Sequence, residues 1–334
     1  MALKAAIAGL GRIASLLEED RLREKPCTHA GAIAANSGLV LCAGADPDEE
    51  RRRLFAEKWR TPVYAQGETM LREQRPQILH IATHPDSHGY YCALAERYGV
   101  SVVVCEKPLA DTLRRAKKIA ALHGSGNITV ITNHERRYAA DYRRARDILR
   151  RGEPLGPLCG VRGTLCMGKT RRLLDVLWHD GTHLADAAMF LTGAALTHRR
   201  SFGSGLKGRT GTAYLLGSLE GPSVPAVSGA LPFLLELGAG RDHLIFELEF
   251  SCERGKLRIG NGIFEVWESR QSPYAEKFKS LEKTEEGFTG ETGCFSGMVD
   301  DALACALDKN HTPQSSAADG LRVIRYLHKI RAWR

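Results

Sequence analysis

Four β-prone residues, Val102, Val103, Val104 and Cys105, run without a polar break into Glu106-Lys107-Pro108. A continuous apolar run of this length suits a parallel strand buried on both faces. Such a strand delivers its next residues to the carboxyl edge of the sheet, where open α/β folds bind their ligands. Here those residues are an acid and an amine, held by a proline that fixes φ. Asp111 or Thr112 can then cap a helix beginning at Leu113. Position carries the weight, because Glu24-Lys25-Pro26 repeats the tripeptide in a polar segment with no strand before it.

The chain upstream has the alternation that such a strand requires. Lys4 to Ala8 is apolar and is followed by Gly9-Leu10-Gly11-Arg12-Ile13-Ala14, a GxGxxA turn expected to open a helix at once. Gly9 allows the tight bend, Gly11 lets the backbone approach a pyrophosphate, and Ala14 still permits close helix–strand packing. The pyrophosphate would sit at the helix N-terminus beside Arg12 and Ile13, where free N–H groups and the dipole favour anions. A second strand, Leu39 to Ala45, ends in Asp46, whose carboxylate can accept hydrogen bonds from an adenosine ribose. The polar segment Glu18 to Cys27 reads as an insertion that delays this acid. A carboxylate repels a 2′-phosphate, which favours NAD, while Arg51 to Arg53 keep NADP open.

Helices are expected over Asp48 to Trp59, Gly67 to Glu73, Ser87 to Tyr98 and Leu113 to His123. Strands are expected at Val63-Tyr64, Gln77 to Thr83 and Ile128 to Thr132. The strand ending at Thr83 leads into His84-Pro85-Asp86-Ser87-His88, at the same edge as the glycine turn, so Thr83, His84 and His88 join the candidate cofactor contacts. This pattern implies a doubly wound parallel sheet.

At 334 residues two domains are expected, and no apolar run approaches the roughly 20 residues of a membrane span. The nine cysteines are scattered without a CxxC, which points to reduced core thiols, no metal site and a cytoplasmic protein. The net charge of +8 raises nucleic-acid binding. The basic residues are spread over many helices without an aromatic platform, so solvated helix faces are the better explanation.

Taken together, AIAGLGRIAS, Asp46, IATHPDSH, VVVCEKPLA and NHERRY resemble the Gfo/Idh/MocA family of nicotinamide-dependent oxidoreductases, in order and spacing, from Met1 to about Gly156. The resemblance implies an N-terminal Rossmann domain, placed at 1–133. It also implies a substrate and oligomerisation domain at 134–334, with a large, mostly antiparallel sheet whose free face makes homodimers or homotetramers. It gives Lys107 the substrate hydroxyl beside the nicotinamide and puts Glu106 near it. It extends to Leu177–Asp186, since the family carries a DxGxH motif on a helix, its histidine an acid/base and its aspartate a support. Gly181 and His183 align with that motif, but His179 stands where the aspartate belongs and Asp180 fills the variable slot. Either Asp180 takes the supporting role, or His179 does acid/base work of its own. Asp186, three residues after His183, shares its helix face.

In the second half, strands are expected at Pro157 to Met167, Ala213 to Glu220, Ser223 to Leu231, His243 to Cys252, Lys256 to Ile259 and Ile263 to Glu268. Helices are expected at Gly297 to Leu307 and Ala317 to Arg331. Arg136, Arg137 and Tyr138, and Arg171 and Arg172 in the polar loop Lys169–Arg172, are weaker candidates for substrate contacts. The expected function is hydride transfer between NAD(P) and a secondary hydroxyl or carbonyl of a sugar, cyclitol or related polyol. Two alternatives stand beside it: glycoside cleavage through transient oxidation by bound NAD, and a non-enzymatic dinucleotide or sugar sensor.

Overall fold

The apolar runs form the strands β1 (Leu3–Ala8), β2 (Leu39–Ala45), β3 (Val63–Tyr64), β4 (Ile78–Ile81), β5 (Val102–Glu106) and β6 (Thr129–Asn133). They make one sheet in the order β3-β2-β1-β4-β5-β6, every neighbouring pair parallel. All five residues of β5 are buried, as a strand covered on both faces requires. The order reverses between β1 and β4, so the crevice at a topological switch point opens at the carboxyl ends of these two strands. The computed structural model describes residues 2–168, 172–204 and 210–331.

Between the strands lie α1 (His29–Ala35), α2 (Glu49–Trp59), α3 (Gly67–Gln74), α4 (His88–Arg97) and α5 (Leu113–Gly124). Asp48 caps α2 by accepting from Arg51 N–H, and Thr112 rather than Asp111 caps α5 by accepting from Arg115 N–H. One expectation fails: the glycine turn does not open a continuous helix. A short 3-10 turn, Leu16–Glu19, and a loop intervene before α1. Yet the His29 N–H donates to the Ile13 carbonyl at 3.2 Å and the Ala30 N–H to the Ala14 carbonyl at 2.9 Å. The inserted segment is thus looped out, and α1 resumes on the turn it left.

The second unit begins with α6 (Ala140–Arg151) and β7 (Leu158–Gly168). The short α7 (Leu173–Asp175) passes through a π-helical turn, Val176–Asp180, into α8 (Gly181–Thr192). Then come β8 (Ala195–Ser204), β9 (Gly211–Glu220), β10 (Ala230–Arg241), β11 (Ile245–Cys252), β12 (Gly255–Gly260), β13 (Ile263–Gln271) and β14 (Lys279–Glu286). These seven and β7 form an eight-stranded sheet, β14-β13-β12-β11-β7-β10-β9-β8, antiparallel except for β7 with β10. The strand expected over Ser223 to Leu231 is displaced, because Gly221 at φ +60° and Pro225 sit in a connection that makes one isolated bridge, Ala226 to Leu158, and the continuous ladder starts at Ala230. Strand β14 was not expected, since five of the eight residues of KSLEKTEE are charged, as suits a sheet edge that must not recruit further chains.

Two helices follow, α9 (Cys294–Leu307) and α10 (Ala317–Arg331). Leu321, Ile324 and Leu327 are buried as their spacing implies, and His328 is exposed. Contacts divide the chain into 1–139 with 291–324, and 140–290 with 325–334. This differs from a single cut at 133/134 for a physical reason. Helix α9 packs on α1, β4, β5 and β6, adding Phe295, Met298 and Val299 to the core of Ile7, Ile78 and Val104. Each such side chain contributes about 1.5–3 kcal/mol by leaving water.

Candidate active site

The first component is the glycine turn after β1. Gly9 has φ +85°, and a Cβ there would lie 2.7 Å from the Ala82 carbonyl oxygen, so no larger residue fits. At Gly11 a Cβ would meet only Arg51 Nη1, at 3.9 Å, which leaves the backbone open to an approaching group. Asp46, 3% exposed, accepts the Leu10 N–H at Oδ2 (2.8 Å) and the Asp48 N–H at Oδ1 (2.9 Å). The acid therefore braces the glycine turn, and each oxygen keeps a second lone pair for a ribose hydroxyl. Arg51 Nη1 lies 3.7 Å from Asp46 Oδ2, and its side chain is about half exposed. Arg52 donates to the Asp46 carbonyl, and Arg53 is paired with Glu50 and Glu57. Arg12 is exposed and Ile13 half-buried. A glycine that must be bare, one that faces open space and an oriented acid together fit a dinucleotide.

The loop after β4 supplies less than expected. His84 is exposed, and the Thr83 and Ser87 hydroxyls bond each other at 2.7 Å. His88 is fully buried, with Nε2 against the Thr83 carbonyl and Nδ1 against the Leu109 carbonyl, both at 3.2 Å. Burial pushes its pKa down, and in the neutral form its single N–H can donate to one of these two carbonyls at a time. That corrects its placement among the cofactor contacts.

At the end of β5, Glu106 is buried and committed. Its Oε1 accepts from Asn133 Nδ2 at 2.6 Å and lies 2.9 Å from His29 Nε2, and its Oε2 accepts the Lys107 backbone N–H at 3.3 Å. Burial alone would raise its pKa. The His29 hydrogen bond, the Lys107 charge and the Asn133 hydrogen bond outweigh that and hold it below the usual carboxylate value. His29 in turn places Nδ1 2.9 Å from Nδ1 of His80, in the middle of β4. Burial, then the neighbouring His29, push the His80 pKa well down. The Glu106 side chain thus points into the protein, with a different set of partners from the cofactor expected of it, while Lys107 is half-buried at the turn after β5.

Sequence reading missed His29, His80 and Asn133 as members of this cluster. A signal existed for one of them: a histidine inside the otherwise apolar QILHIAT has to find a buried partner. The repeated tripeptide has a different task. Glu24 accepts from Thr292 N–H, Thr292 Oγ1 and Gly293 N–H at the start of α9, and Lys25 Nζ donates to the Leu17 and Asp20 carbonyls.

In the second unit, His183 is half-buried near the start of α8, and Asp186, one turn on, is buried. His179 is exposed in the π-helical turn, its carbonyl accepting from Thr182 Oγ1 at 2.8 Å, and Asp180 is half-buried just before Gly181. The wide turn gives the motif's shifted residues a physical setting, since a π turn inserts an extra residue into a helix and is often found at functional sites. Of the weaker candidates, Arg137 donates to the Gln314 carbonyl and pairs with Asp319 (3.2 Å), and the Tyr138 hydroxyl donates to Asp301 (2.8 Å). Both are interior braces. Arg136 lies beside Glu135. Arg172 is exposed, and Lys169, Thr170 and Arg171 lie outside the described residues. Asp301, Cys305 and His311 bring their ligand-type atoms within 4.8 Å of one another, but the Asp301 oxygens are occupied by Tyr138, the Gln314 N–H and His311. No helix among the described residues is long and apolar enough to cross a membrane.

Comparison with known proteins agrees with this geometry. Residues 3–134 match the oxidoreductase family with an NAD-binding Rossmann fold. The protein YceM of Salmonella typhimurium, described as an oxidoreductase, is 26% identical over 199 residues, 57% of each chain. The chain thus matches little more than half the length of this curated relative. Among solved structures, UDP-N-acetylglucosamine 3-dehydrogenase GnnA of Acidithiobacillus ferrooxidans superposes with TM-score 0.76 over 99% of this chain and 97% of its own, at 16% identity. The 3-ketoreductase KijD10 of Actinomadura kijaniata, solved in an open conformation with TDP-benzene and NADP, gives 0.76 over 99% and 98%, also at 16%. At such identities these two share the fold.

Proposed function

We propose that this chain, whose residues 3–134 match the Gfo/Idh/MocA oxidoreductase family, moves a hydride between NAD(P) and a secondary hydroxyl or carbonyl carbon of a sugar, cyclitol or related polyol. One observation carries the reading: Lys107 follows a buried, fully partnered Glu106 at the carboxyl end of β5, the same sheet edge that bears the open glycine turn. The dinucleotide, when bound, supplies the redox chemistry. Gly9, Gly11 and Asp46 would hold it, with Arg12, Ile13, Thr83 and His84 nearby in the same loops. Asp46 favours NAD, and the half-exposed Arg51 beside it keeps NADP accessible.

Oxidising a secondary alcohol requires the hydroxyl proton to leave as the carbon is oxidised. Lys107 orients that hydroxyl through its ammonium, and His183 takes the proton in oxidation or returns it in reduction. Asp180 supports His183, with His179 the competing residue for that role. The name of GnnA, a UDP-N-acetylglucosamine 3-dehydrogenase, supports a sugar as the substrate class. We further propose a homodimer or homotetramer through the free face of the second sheet, where the exposed Phe202 of β8 stacks on Tyr214 of β9 (5.3 Å) close to the exposed Leu216. Sedimentation velocity that finds only monomer would end that reading.

The decisive measurement is turnover of a polyol and keto-sugar panel with NAD and NADP, by wild type and Lys107→Met. The variant is expected to lose about 10²–10⁴-fold in kcat with cofactor affinity nearly intact. Unchanged turnover overturns the role of Lys107. Sugar release from a glycoside without NADH accumulation would move the protein to redox-neutral cleavage. NAD binding with no turnover of any panel member would leave a sensor.

A further inference from the structure

Behind Glu106 the first unit carries a row of polar side chains that cofactor binding does not require. His29 of α1 and His80 of β4 are fully buried, their Nδ1 atoms 2.9 Å apart and their rings edge-on at 5.1 Å. Phe295 of α9 closes the other side of His29, edge-on at 5.7 Å. The row has one open end, because His80 Nε2 has no hydrogen-bond partner among the described residues. An imidazole pair in an apolar interior costs free energy unless its polar atoms are used.

The chemistry of the row fixes where its protons sit. An ionised Glu106 only accepts, so His29 Nε2 carries a hydrogen and donates to it. In the neutral ring His29 Nδ1 is then an acceptor, and the hydrogen in the Nδ1···Nδ1 gap belongs to His80. That leaves His80 Nε2 with a lone pair. One tautomer of each ring is therefore selected from a distance by a carboxylate. Adding a proton to His29 would reverse the inner bond, shift His80 to its other tautomer and leave a buried N–H without an acceptor.

We propose that His29 and His80 are positioning residues for the turn bearing Lys107: together they hold Glu106 as an oriented carboxylate and so set the lower pH limit of its ionised form. This deepens the oxidoreductase reading and, for its effect on turnover, rests on it. The charged and titratable groups facing Glu106 are His29 from α1, His88 from α4, Cys105 and Lys107 from its own strand and turn, and the donor Asn133 from β6. His80 acts through His29. His29 and Asn133 both bond the carboxylate through their side chains, and His29 is the one that links it to His80, so its removal is expected to move Glu106 furthest.

The test compares wild type, His29→Leu, His29→Gln and His80→Val. In the protein without cofactor, the ¹³C shift of the Glu106 carboxyl is followed against pH. Its midpoint is expected to rise by about one unit or more in His29→Leu, and by less in His29→Gln, which keeps a donor. Long-range ¹H–¹⁵N correlation should show the hydrogen of His80 on Nδ1. An unchanged midpoint in His29→Leu, or a His80 hydrogen on Nε2 in neutral solution, overturns the proposal without reference to any substrate. With an active wild type, His80→Val and His29→Gln are expected to lower kcat about 10–100-fold with KM for NAD little changed. The acid limb of the kcat/KM profile is expected to move upward with it. A lowered melting temperature with wild-type kcat and pH profile would reduce the pair to a structural role and likewise overturn the proposal. If His29→Leu does not fold, the Gln and His80→Val variants carry the same readings. If wild type turns over nothing, the function fails while the carboxyl titration still decides this inference.

Discussion

In the parallel sheet the carboxylates that matter gather at strand ends and are buried: Asp46 after β2, Glu106 at the end of β5, each held by named donors. In the antiparallel sheet ionisable side chains are laid across neighbouring strands. Arg258 of β12 reaches Glu247 of β11 and Glu265 of β13, both at 2.9 Å, and Lys283 of β14 also approaches Glu265. Arg258, Glu247 and Lys283 keep about a quarter of their side-chain surface in water, and Glu265 keeps 15%. The lesson is energetic. A buried carboxylate that loses its partner costs about 3–5 kcal/mol, whereas a half-solvated cross-strand pair contributes about 0–1 kcal/mol. The first arrangement is worth its cost only where a charge must be held in place, and the second is a surface that tolerates change.

The largest expected effect that would break this contrast is at the glycine turn. Gly9→Val places a branched side chain against the Ala82 carbonyl at a positive φ and should abolish NADH binding, measured by fluorescence titration. Retained micromolar binding would mean the turn is not the cofactor cradle. Next comes Asp46→Ala, which frees the Leu10 N–H and removes the acid from Arg51. It should weaken NAD binding about tenfold or more, at 1.4 kcal/mol per decade, while sparing NADP. Equal loss for both cofactors would show Asp46 to be a brace alone.

A pH series sharpens the same point more gently. The buried His80 and His88 have folded pKa values below their unfolded ones. The unfolded chain therefore takes up protons that the folded one refuses. Their contribution is present above about pH 6.5 and is lost as pH falls below it, by about 1.4 kcal/mol per unit per histidine. Urea unfolding at pH 7 and pH 5.5 should show this loss, and His80→Val should lessen it. The smallest effect is expected at Arg258→Met, less than about 1 kcal/mol in the same assay. A loss of several kcal/mol there would place the second sheet's charges in the same class as those of the first.

This contrast also explains what could be read in advance. Strands β2 and β3 fall on their expected residues, and β5 extends its expectation by one, because runs such as LVLCAGA and VVVCE admit one interpretation when both faces are buried. Strand β14 was invisible because an edge strand so rich in charge carries no hydrophobic period. At the site, Gly9, Asp46 and Lys107 were legible because each is dictated by a local turn or strand end. The cluster behind Glu106 was not, since His29, His80 and Asn133 come from three separate segments that only the tertiary fold brings together. The departure at His179 was legible as a departure, but the π turn that contains it has no signature in VLWHD.

The looped-out segment ahead of α1 has a practical consequence. Ile13 and His29 are joined as consecutive helical turns although many residues separate them, where an uninterrupted helix would allow four. Chain length can therefore change around the exposed Leu22, between Glu18, which accepts from Thr28, and Glu24, which holds the start of α9, without moving the imidazole that faces Glu106. The segment is a natural splice port: a reporter or affinity handle inserted beside the fully exposed Leu22 would ride outside the helix. A search that fixes the distance from the glycines to that histidine would pass over this protein and any relative built with a similar detour.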